Sequence, residues 1–270
     1  MCATDRPGSD TLSLATTRWG SAIPRALLIH GLGDGGFAWD ALIAHAGDDL
    51  PGVSLDLRGH ADSPWDPLQR YGSDVLAADV IRLIDTLDLG GLALIGHSLG
   101  AEVAARVAAA RPDRTSSLVL IEGGPELERE ATHLMMRQMQ IAPRQYGTLT
   151  EFQAVLAARY PLADPTTLCT YATRALRLNR AGRWEPKADP GFLLGLELLD
   201  SDRYWDTLAA VSRPILLVRG QLSSVLTSRN AEELPRRLRN CRQVEVPDAG
   251  HAVPLENPRG LYDALVPWLA

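Results

Sequence analysis

A serine at position 98 lies in the pentapeptide Gly96-His97-Ser98-Leu99-Gly100, between an apolar stretch and an alanine-rich one. The pattern G-x-S-x-G between a strand and a helix is typical of a nucleophilic serine on a tight turn, where small neighbours leave the hydroxyl accessible. The backbone N–H of Leu99 would then lie at a helix N-terminus and point towards a developing oxyanion. The alternative interpretation is a serine that only caps the helix.

A glycine-rich loop, residues 30–36, follows another apolar stretch and contains His30-Gly31-Leu32-Gly33. Such a loop lets the backbone approach a ligand closely, and the N–H of Leu32 is the natural second donor to an oxyanion. The rival interpretation is a phosphate-binding loop. Because the chain has no G-K-[ST] and no G-x-G-x-x-G opening the next helix, we discount nucleotide binding.

A serine needs a base to act as a nucleophile, because its free hydroxyl is protonated at neutral pH. The chain has six histidines. Only His251 follows a late apolar stretch in a loop, where it is free to reach across to Ser98. We therefore predict that His251 is the base, with a purely structural loop histidine as the alternative.

These candidates are separated by elements that alternate in type. The continuous apolar runs predict buried strands, and the segments between them have helical spacing, which together indicate a mainly parallel sheet covered by helices. The predicted strands are Leu12–Thr17, Ala26–His30, Val53–Leu57, Leu92–Ile95, Leu118–Ile121, Ile215–Val218 and Gln243–Val246, and the predicted helices include Tyr71–Leu89, Leu99–Ala110 and Gly260–Ala270.

The segment from Pro125 to about Ser212 interrupts this alternation. It contains no convincing strand and consists of several predicted helices separated by prolines. We expect a core domain formed by residues 1–124 and 213–270, with residues 125–212 as a helical cap over the carboxyl edge of the sheet, where open α/β sheets bind ligands. A helical layer with no role in access is the alternative.

The composition excludes several classes of protein. Apolar residues make up 46% of the chain, and 33 acidic against 27 basic residues give a formal charge of −6, so we expect no nucleic-acid partner. No apolar stretch is long enough to span a bilayer, and the first residues do not resemble a secretory signal. Three widely spaced cysteines fit a cytoplasmic protein without a disulfide framework or a metal site.

Four ordered motifs resemble those of the α/β-hydrolase fold family: His30-Gly31-Leu32-Gly33, the Asp56–Ser63 loop, the pentapeptide around Ser98, and Asp248-Ala249-Gly250-His251. The resemblance covers nearly the whole chain outside the cap. It implies a sheet of about eight strands and acyl-type chemistry without a cofactor. A serine at position 98 distinguishes the chain from the family's dehalogenases and epoxide hydrolases, which have an aspartate there.

The carboxylate that completes a catalytic triad is missing from its usual place. The family commonly has an aspartate soon after the strand that follows the cap, but residues 216–226 contain no acid and have Ser223 and Ser224 instead. Glu122 ends the strand before the cap, and some family members resemble this arrangement. We predict Glu122 as the third member of the triad. The alternative is a solvated strand-end carboxylate.

Other acids are weaker candidates. Asp248 is only three residues from His251, Glu102 lies one turn beyond Ser98, and Glu126 would serve only if the strand ended later. A serine–histidine dyad assisted by water or by Ser224 also remains open.

These residues predict a serine esterase or lactonase acting on a hydrophobic small molecule. Thioesterase, acyltransferase or lyase activity on the same residues is an alternative, as is a non-catalytic ligand-binding protein of the same fold. Methionine and aromatic side chains in the cap suit an apolar substrate. The predicted substrate-binding residues are His133, Met136, Met139, Tyr171, Trp184 and Trp205, although any of them could instead belong to the core of the cap.

Overall fold

The computed structural model describes residues 13–192 and 199–269. Nine strands occur in this part of the chain: β1 (Thr16–Trp19), β2 (Ala26–Ile29), β3 (Gly52–Leu55), β4 (Leu92–His97), β5 (Thr115–Ile121), β6 (Leu176–Leu178), β7 (Trp184–Pro186), β8 (Ile215–Gly220) and β9 (Cys241–Val246). Seven of them form the main sheet in the order β1-β3-β2-β4-β5-β8-β9. Among the described strands of this main sheet, β1 alone is antiparallel to its neighbour. The described sheet thus has seven strands, where the resemblance implied about eight.

Ten α-helices occur in the same residues: α1 (Asp40–Ala46), α2 (Ser73–Thr86), α3 (Leu99–Ala110), α4 (Arg129–Ile141), α5 (Leu149–Arg159), α6 (Pro165–Ala175), α7 (Ser201–Ala210), α8 (Ser228–Arg237), α9 (Val253–Glu256) and α10 (Pro258–Leu269). The predicted helix at Leu99–Ala110 is confirmed with its bounds, and α2 is shorter than its predicted span. None of the helices in the described ranges is long and apolar enough to cross a membrane.

The central strands are apolar along their whole length because both faces of the sheet are covered. Every residue of β2, β4 and β8 is buried. In β2, Leu27 and Ile29 pack in a cluster with α2, α3, α7 and α8, whereas Ala26 and Leu28 pack in a second cluster with α1 and α10. Alternate side chains of one strand therefore enter opposite halves of the core.

The carboxyl ends of the parallel strands meet at one edge of the sheet. Ile29 is paired with Gly96, His97 with Ile121, and Ile121 with Val218. The loops that follow β2, β4, β5, β8 and β9 consequently converge above this edge, which is where open parallel sheets bind ligands.

The residues 125–212 between β5 and β8, called the insertion below, do not form a single layer. Helix α4 has no buried residue, and Leu134 and Ile141 are exposed. Helices α5 and α6 pack instead in a third apolar cluster that includes Phe37. Tyr204 and Leu208 of α7 belong to the main core beside α3. The last helix of the insertion thus covers a face of the sheet, not its carboxyl edge.

The expectation that the insertion lacks strands is wrong. Strands β6 and β7 form an antiparallel hairpin in which Leu176 is paired with Pro186. Asn179 and Gly182 form the turn, with the Gly182 N–H donating to the Asn179 carbonyl and Gly182 at φ +72°. Strands of three residues are too short to give a recognisable hydrophobic pattern, so only this turn signalled the hairpin.

Candidate active site

The turn around Ser98 requires the two glycines that flank it. Ser98 adopts φ 52° and ψ −117°, a strained conformation between β4 and α3. A Cβ on Gly96 would lie 2.1 Å from the carbonyl oxygen of Gly100, and one on Gly100 would lie 2.2 Å from that of Ile29. Because the backbones approach so closely, the turn projects the serine side chain out of the sheet.

Ser98, His251 and Glu122 form a hydrogen-bonded line. The Nε2 atom of His251 lies 3.1 Å from Ser98 Oγ, and its Nδ1 atom lies 3.0 Å from Glu122 Oε2. A carboxylate can only accept, so Nδ1 carries the proton and Nε2 is left to accept from the serine hydroxyl. This is the tautomer that a general base for Ser98 requires.

Glu122 is fully buried directly after β5. Its φ of +52° turns the chain away from the strand direction. Besides His251, its carboxylate accepts hydrogen bonds from the Gly220 N–H at 2.7 Å and from the Ser223 hydroxyl at 2.6 Å. Three donors offset the cost of burying a carboxylate.

The competing acids have other partners or lie elsewhere. Asp248 is exposed, although it begins the histidine loop. Glu102 pairs with Arg106 on its own helix, and Glu126 accepts from the indole of Trp205 at 3.4 Å. Ser224, the other residue of the acid-free loop, is exposed at the cavity and does not replace Ser223 beside Glu122. Glu122 is thus the carboxylate that contacts His251 in the described chain.

Two side chains that sequence reasoning did not select hold the histidine loop. The ring of His97 is buried, which lowers its pKa to about 3 and keeps it neutral, and its Nε2 donates to the His251 carbonyl at 2.8 Å. The carboxylate of Glu256 accepts from the Gly250 N–H at 2.7 Å. In the sequence, only its place beside Ser98 in the pentapeptide could have indicated that His97 lies near His251.

The glycine-rich loop is held by His30. The Leu57 N–H donates to His30 Nε2 at 2.9 Å, so Nδ1 carries the proton and donates to the Gly31 carbonyl at 2.7 Å. Burial lowers the pKa of His30 to about 4, which keeps this tautomer neutral. Leu32 lines the same cavity as Ser98, and Leu99 begins α3, whose first N–H groups have no acceptor within the helix.

A cavity of about 510 Å³ opens above Ser98 and His251. Helix α4 forms one wall, and apolar side chains from the insertion and from the loops after β8 and β9 line much of it. They include Leu134, Met135, Met139, Leu222 and Val225, and Pro254 and Leu255 of α9. Asp34, Arg159 and Tyr160 form a polar region of the same cavity. No cluster of side chains suited to a metal ion occurs in the part of the chain described.

The structure places only one of the predicted substrate-binding residues in this cavity, namely Met139. Tyr171 lines a smaller neighbouring cavity and donates its hydroxyl proton to Asp34 Oδ1 at 2.6 Å. His133 and Met136 do not line the cavity, because Met135 and Met139, four residues apart, occupy the side of α4 that faces it.

The two tryptophans also lie outside this cavity. Trp184 belongs to the hairpin, where its backbone pairs with Tyr146. Trp205 packs on the main core, and the guanidinium of Arg237 lies 4.4 Å from the centre of its ring. Composition alone did not show which face of the insertion each side chain would occupy.

Comparison with known proteins agrees with this architecture. The family model described as alpha/beta hydrolase fold matches residues 24–258. An esterase of Mycobacterium tuberculosis is 30% identical over 257 residues, which cover 93% of this chain and 84% of the relative. The 2-(acetamidomethylene)succinate hydrolase of Mesorhizobium japonicum is 28% identical over 233 residues, covering 85% and 82% respectively.

A solved structure gives the same result. The crystal structure of an E-2-(acetamidomethylene)succinate hydrolase superposes with a TM-score of 0.86 at 25% identity, with 96% of each chain covered. The family match covers most of the chain, and the strand order and the turn at Ser98 fit the same fold. The chain belongs to the α/β-hydrolase fold family.

Proposed function

We propose that this protein is a carboxylic ester hydrolase that cleaves an ester or lactone of a hydrophobic small molecule through an acyl-enzyme on Ser98. The observation that carries the proposal is the line of hydrogen bonds from Ser98 through His251 to Glu122, at 3.1 and 3.0 Å. The similarity to an esterase over 93% of the chain supports ester hydrolysis as the reaction.

In the first half-reaction, Ser98 Oγ attacks the carbonyl carbon while His251 Nε2 takes the hydroxyl proton. The negative charge that develops on the carbonyl oxygen is stabilised by the N–H groups of Leu32 and Leu99. Glu122 stabilises the imidazolium and remains ionised. Collapse of the tetrahedral intermediate breaks the ester bond, and His251 gives its proton to the departing alcohol.

In the second half-reaction, water attacks the acyl-enzyme. His251 Nε2 removes a proton from the water, the same two N–H groups hold the second oxyanion, and the proton then returns to Ser98 as the acid is released. With a lactone, the alcohol and the acid are two ends of one product. No step requires a cofactor.

The cavity supports a substrate with a substantial apolar part. Its volume is in the range of small-molecule sites, and Leu134, Met135 and Met139 of α4 provide an adaptable apolar wall. Because α4 has no buried residue, small shifts of this helix would cost few core contacts and could admit substrates of different sizes.

A fluorophosphonate probe combined with a substrate screen tests the proposal. We expect covalent labelling of the wild-type protein, hydrolysis of some 4-nitrophenyl esters of graded chain length or of lactones, and loss of both in Ser98→Ala. Ser116→Ala is the matched control, because this exposed serine lies on β5, away from the cavity. Labelling that survives in Ser98→Ala, or a wild type that neither labels nor hydrolyses any ester, would refute the proposed function.

A further inference from the structure

Arg159, the last residue of α5, lines the cavity above Ser98. It is partly buried and makes no hydrogen bond or ion pair within residues 13–192 and 199–269. Its guanidinium carbon lies 5.5 Å from the centre of the Tyr160 ring. The N–H donors of this permanent cation are thus not used by the described residues, and Arg159 lines both this cavity and the smaller neighbouring one.

Other arginines of the protein show how unusual this arrangement is. Arg58 and Arg219 are buried, and each is paired with at least one carboxylate, Arg58 with Asp66 and Asp79 and Arg219 with Glu245. Removing a cation from water is costly unless a partner compensates it. Arg159 bears part of this cost with no carboxylate in hydrogen-bonding contact, and Asp34 acts on it through its charge without a hydrogen bond.

The acids of the cavity are already engaged or lie at its rim. Glu256 accepts from the Gly250 N–H, and Asp34 accepts from the Tyr171 hydroxyl. Glu130 is in the exposed first turn of α4. Burial raises the pKa of Asp34 to about 6, against the opposing effects of Tyr171 and of the charge on Arg159. An anion bound at Arg159 would raise the pKa of Asp34 further, because a nearby negative charge disfavours its ionised form.

We infer that Arg159 binds a carboxylate of the substrate, so that the preferred substrate is an ester that carries an anionic group in addition to its apolar part. This inference rests on the proposed function and specifies its substrate class. Arg159 is then a specificity-determining residue: its guanidinium pairs with the substrate carboxylate while the ester carbonyl lies at Ser98. A planar guanidinium suits this role because it can bind a carboxylate through two parallel hydrogen bonds.

Paired substrates that differ only in charge test the inference. On the acyl side, the probes are mono-4-nitrophenyl esters of dicarboxylic acids from succinate to suberate. Each is compared with the mixed diester in which the free carboxylate is methylated and the 4-nitrophenyl ester is kept. On the leaving-group side, 4-acetoxybenzoate is compared with its methyl ester. We expect wild type to prefer the anionic member of at least one pair, and Arg159→Gln to lower kcat/KM for that member by about 10- to 100-fold, mainly through KM.

The controls separate this effect from misfolding and from long-range electrostatics. Within each pair, Arg159→Gln should reduce kcat/KM for the anionic member more than for its neutral partner, and Arg159→Lys should retain part of the preference because it keeps the charge. Arg144→Gln removes the same charge from the insertion, but Arg144 is exposed and lines only the neighbouring cavity. It should leave the preference unchanged.

The two proposals can fail separately. If the wild type hydrolyses neutral esters through Ser98 but prefers no anionic substrate, or if Arg159→Gln reduces both members of every pair equally, the inference about Arg159 is wrong and the proposed function stands. If Arg144→Gln removes the preference as strongly as Arg159→Gln, the effect belongs to the overall charge and the inference is also wrong. Absence of both labelling and hydrolysis overturns both proposals.

Discussion

At the scale of single residues, the main feature of the site is that the triad carboxylate follows β5, while the loop after β8 provides a serine that binds it. The loop after β8 has no acid, and the Ser223 hydroxyl in this loop donates to Glu122, which comes from the end of β5. The same hydroxyl oxygen accepts from the N–H groups of Val225 and Leu226, so Ser223 also closes its own loop. A serine here is small enough to let the longer glutamate side chain reach His251.

The first prediction concerns Glu122. Glu122→Gln should lower kcat for an ester substrate by a factor of about 10³–10⁴, because an amide can present its NH₂ to Nδ1 and favour the wrong tautomer of His251. Labelling kinetics with a fluorophosphonate should slow in parallel. Glu126→Gln is the matched control and should be near wild type. Activity of Glu122→Gln within about threefold of wild type would exclude Glu122 from the triad.

The same prediction has a rescue arm. In a Glu122→Ala background, Ser223→Asp should restore part of the lost rate, because Ser223 Oγ already lies 2.6 Å from the carboxylate oxygen that contacts His251. Ser224→Asp should restore less, since Ser224 is exposed at the cavity. Equal rescue by both, or by neither, would contradict the geometry of the loop after β8.

At the scale of elements, a buried ion cluster ties the loop after β3 to α2. The guanidinium of Arg58 is 2% exposed and bonds to Asp79 of α2 through Nε and Nη2, at 2.6 and 2.8 Å. Its Nη1 atom bonds to Asp66 at 2.5 Å. Arg82 also bonds to Asp79. This cluster fixes the segment of the Asp56–Ser63 motif beside the carboxyl edge of the sheet.

The second prediction follows from this burial. Arg58→Met should lower the free energy of unfolding by about 3 kcal/mol, because Asp79 would lose a bidentate partner and Asp66 a single hydrogen bond while both carboxylates stay buried. Urea denaturation at neutral pH measures the change. Arg236→Met is the control: Arg236 pairs with Glu232 and Glu233 on the surface of α8, and its loss should cost less than about 1 kcal/mol. Equal effects of the two substitutions would contradict this account of the cluster.

The elements of the sheet were predictable, and those of the insertion only partly. The apolar runs at Ala26–His30 and Leu118–Ile121 marked β2 and β5 because both faces of these strands are buried. The hairpin β6–β7 was missed because three-residue strands carry no period. The side of α4 that faces the cavity depends on how the helix packs against the rest of the protein. The spacing of apolar residues along α4 does not determine this orientation.

At the scale of the whole molecule, three buried histidines link stability to pH. His30, His60 and His97 are buried, and desolvation lowers their pKa values to about 4, about 3 and about 3. Each has an unfolded value near 6.5, so the unfolded chain binds protons below this pH and the native chain does not. Their contribution to stability is therefore present at neutral pH and is lost as the pH falls from about 6.5 towards about 4 for His30 and about 3 for His60 and His97.

The third prediction is the size of this loss. At pH 5 each of the three histidines lowers the free energy of unfolding by about 2 kcal/mol relative to neutral pH. Asp34, whose pKa is raised to about 6, acts in the opposite direction, because the native state takes up its proton more readily than the unfolded chain. We expect the free energy of unfolding to be at least 2 kcal/mol lower at pH 5 than at pH 7.5, as measured by urea titrations.

A matched pair of substitutions assigns the effect. His60→Gln should reduce the number of protons taken up on unfolding near pH 5 by about one, and so flatten the slope of stability against pH. His45→Gln should leave the slope unchanged, because His45 is exposed. A stability that stays constant or rises between pH 7.5 and 5 would contradict the prediction.

The sequence by itself determined the fold class and pointed to Ser98 and His251. The signals for both are local, since apolar runs identify buried strands and the turn around Ser98 needs small residues at fixed spacing. Glu122 could be selected because it ends the strand beside the one that leads to the turn at Ser98.

Only the tertiary structure decided which donors surround Glu122 and which side chains line the cavity. Ser223, Asp34, Tyr171 and Arg159 come from segments far apart in the chain, and their meeting depends on the packing of the insertion against the sheet. Distances of a few ångströms across such an interface are set by the shapes of many side chains together, and no short stretch of sequence carries that information.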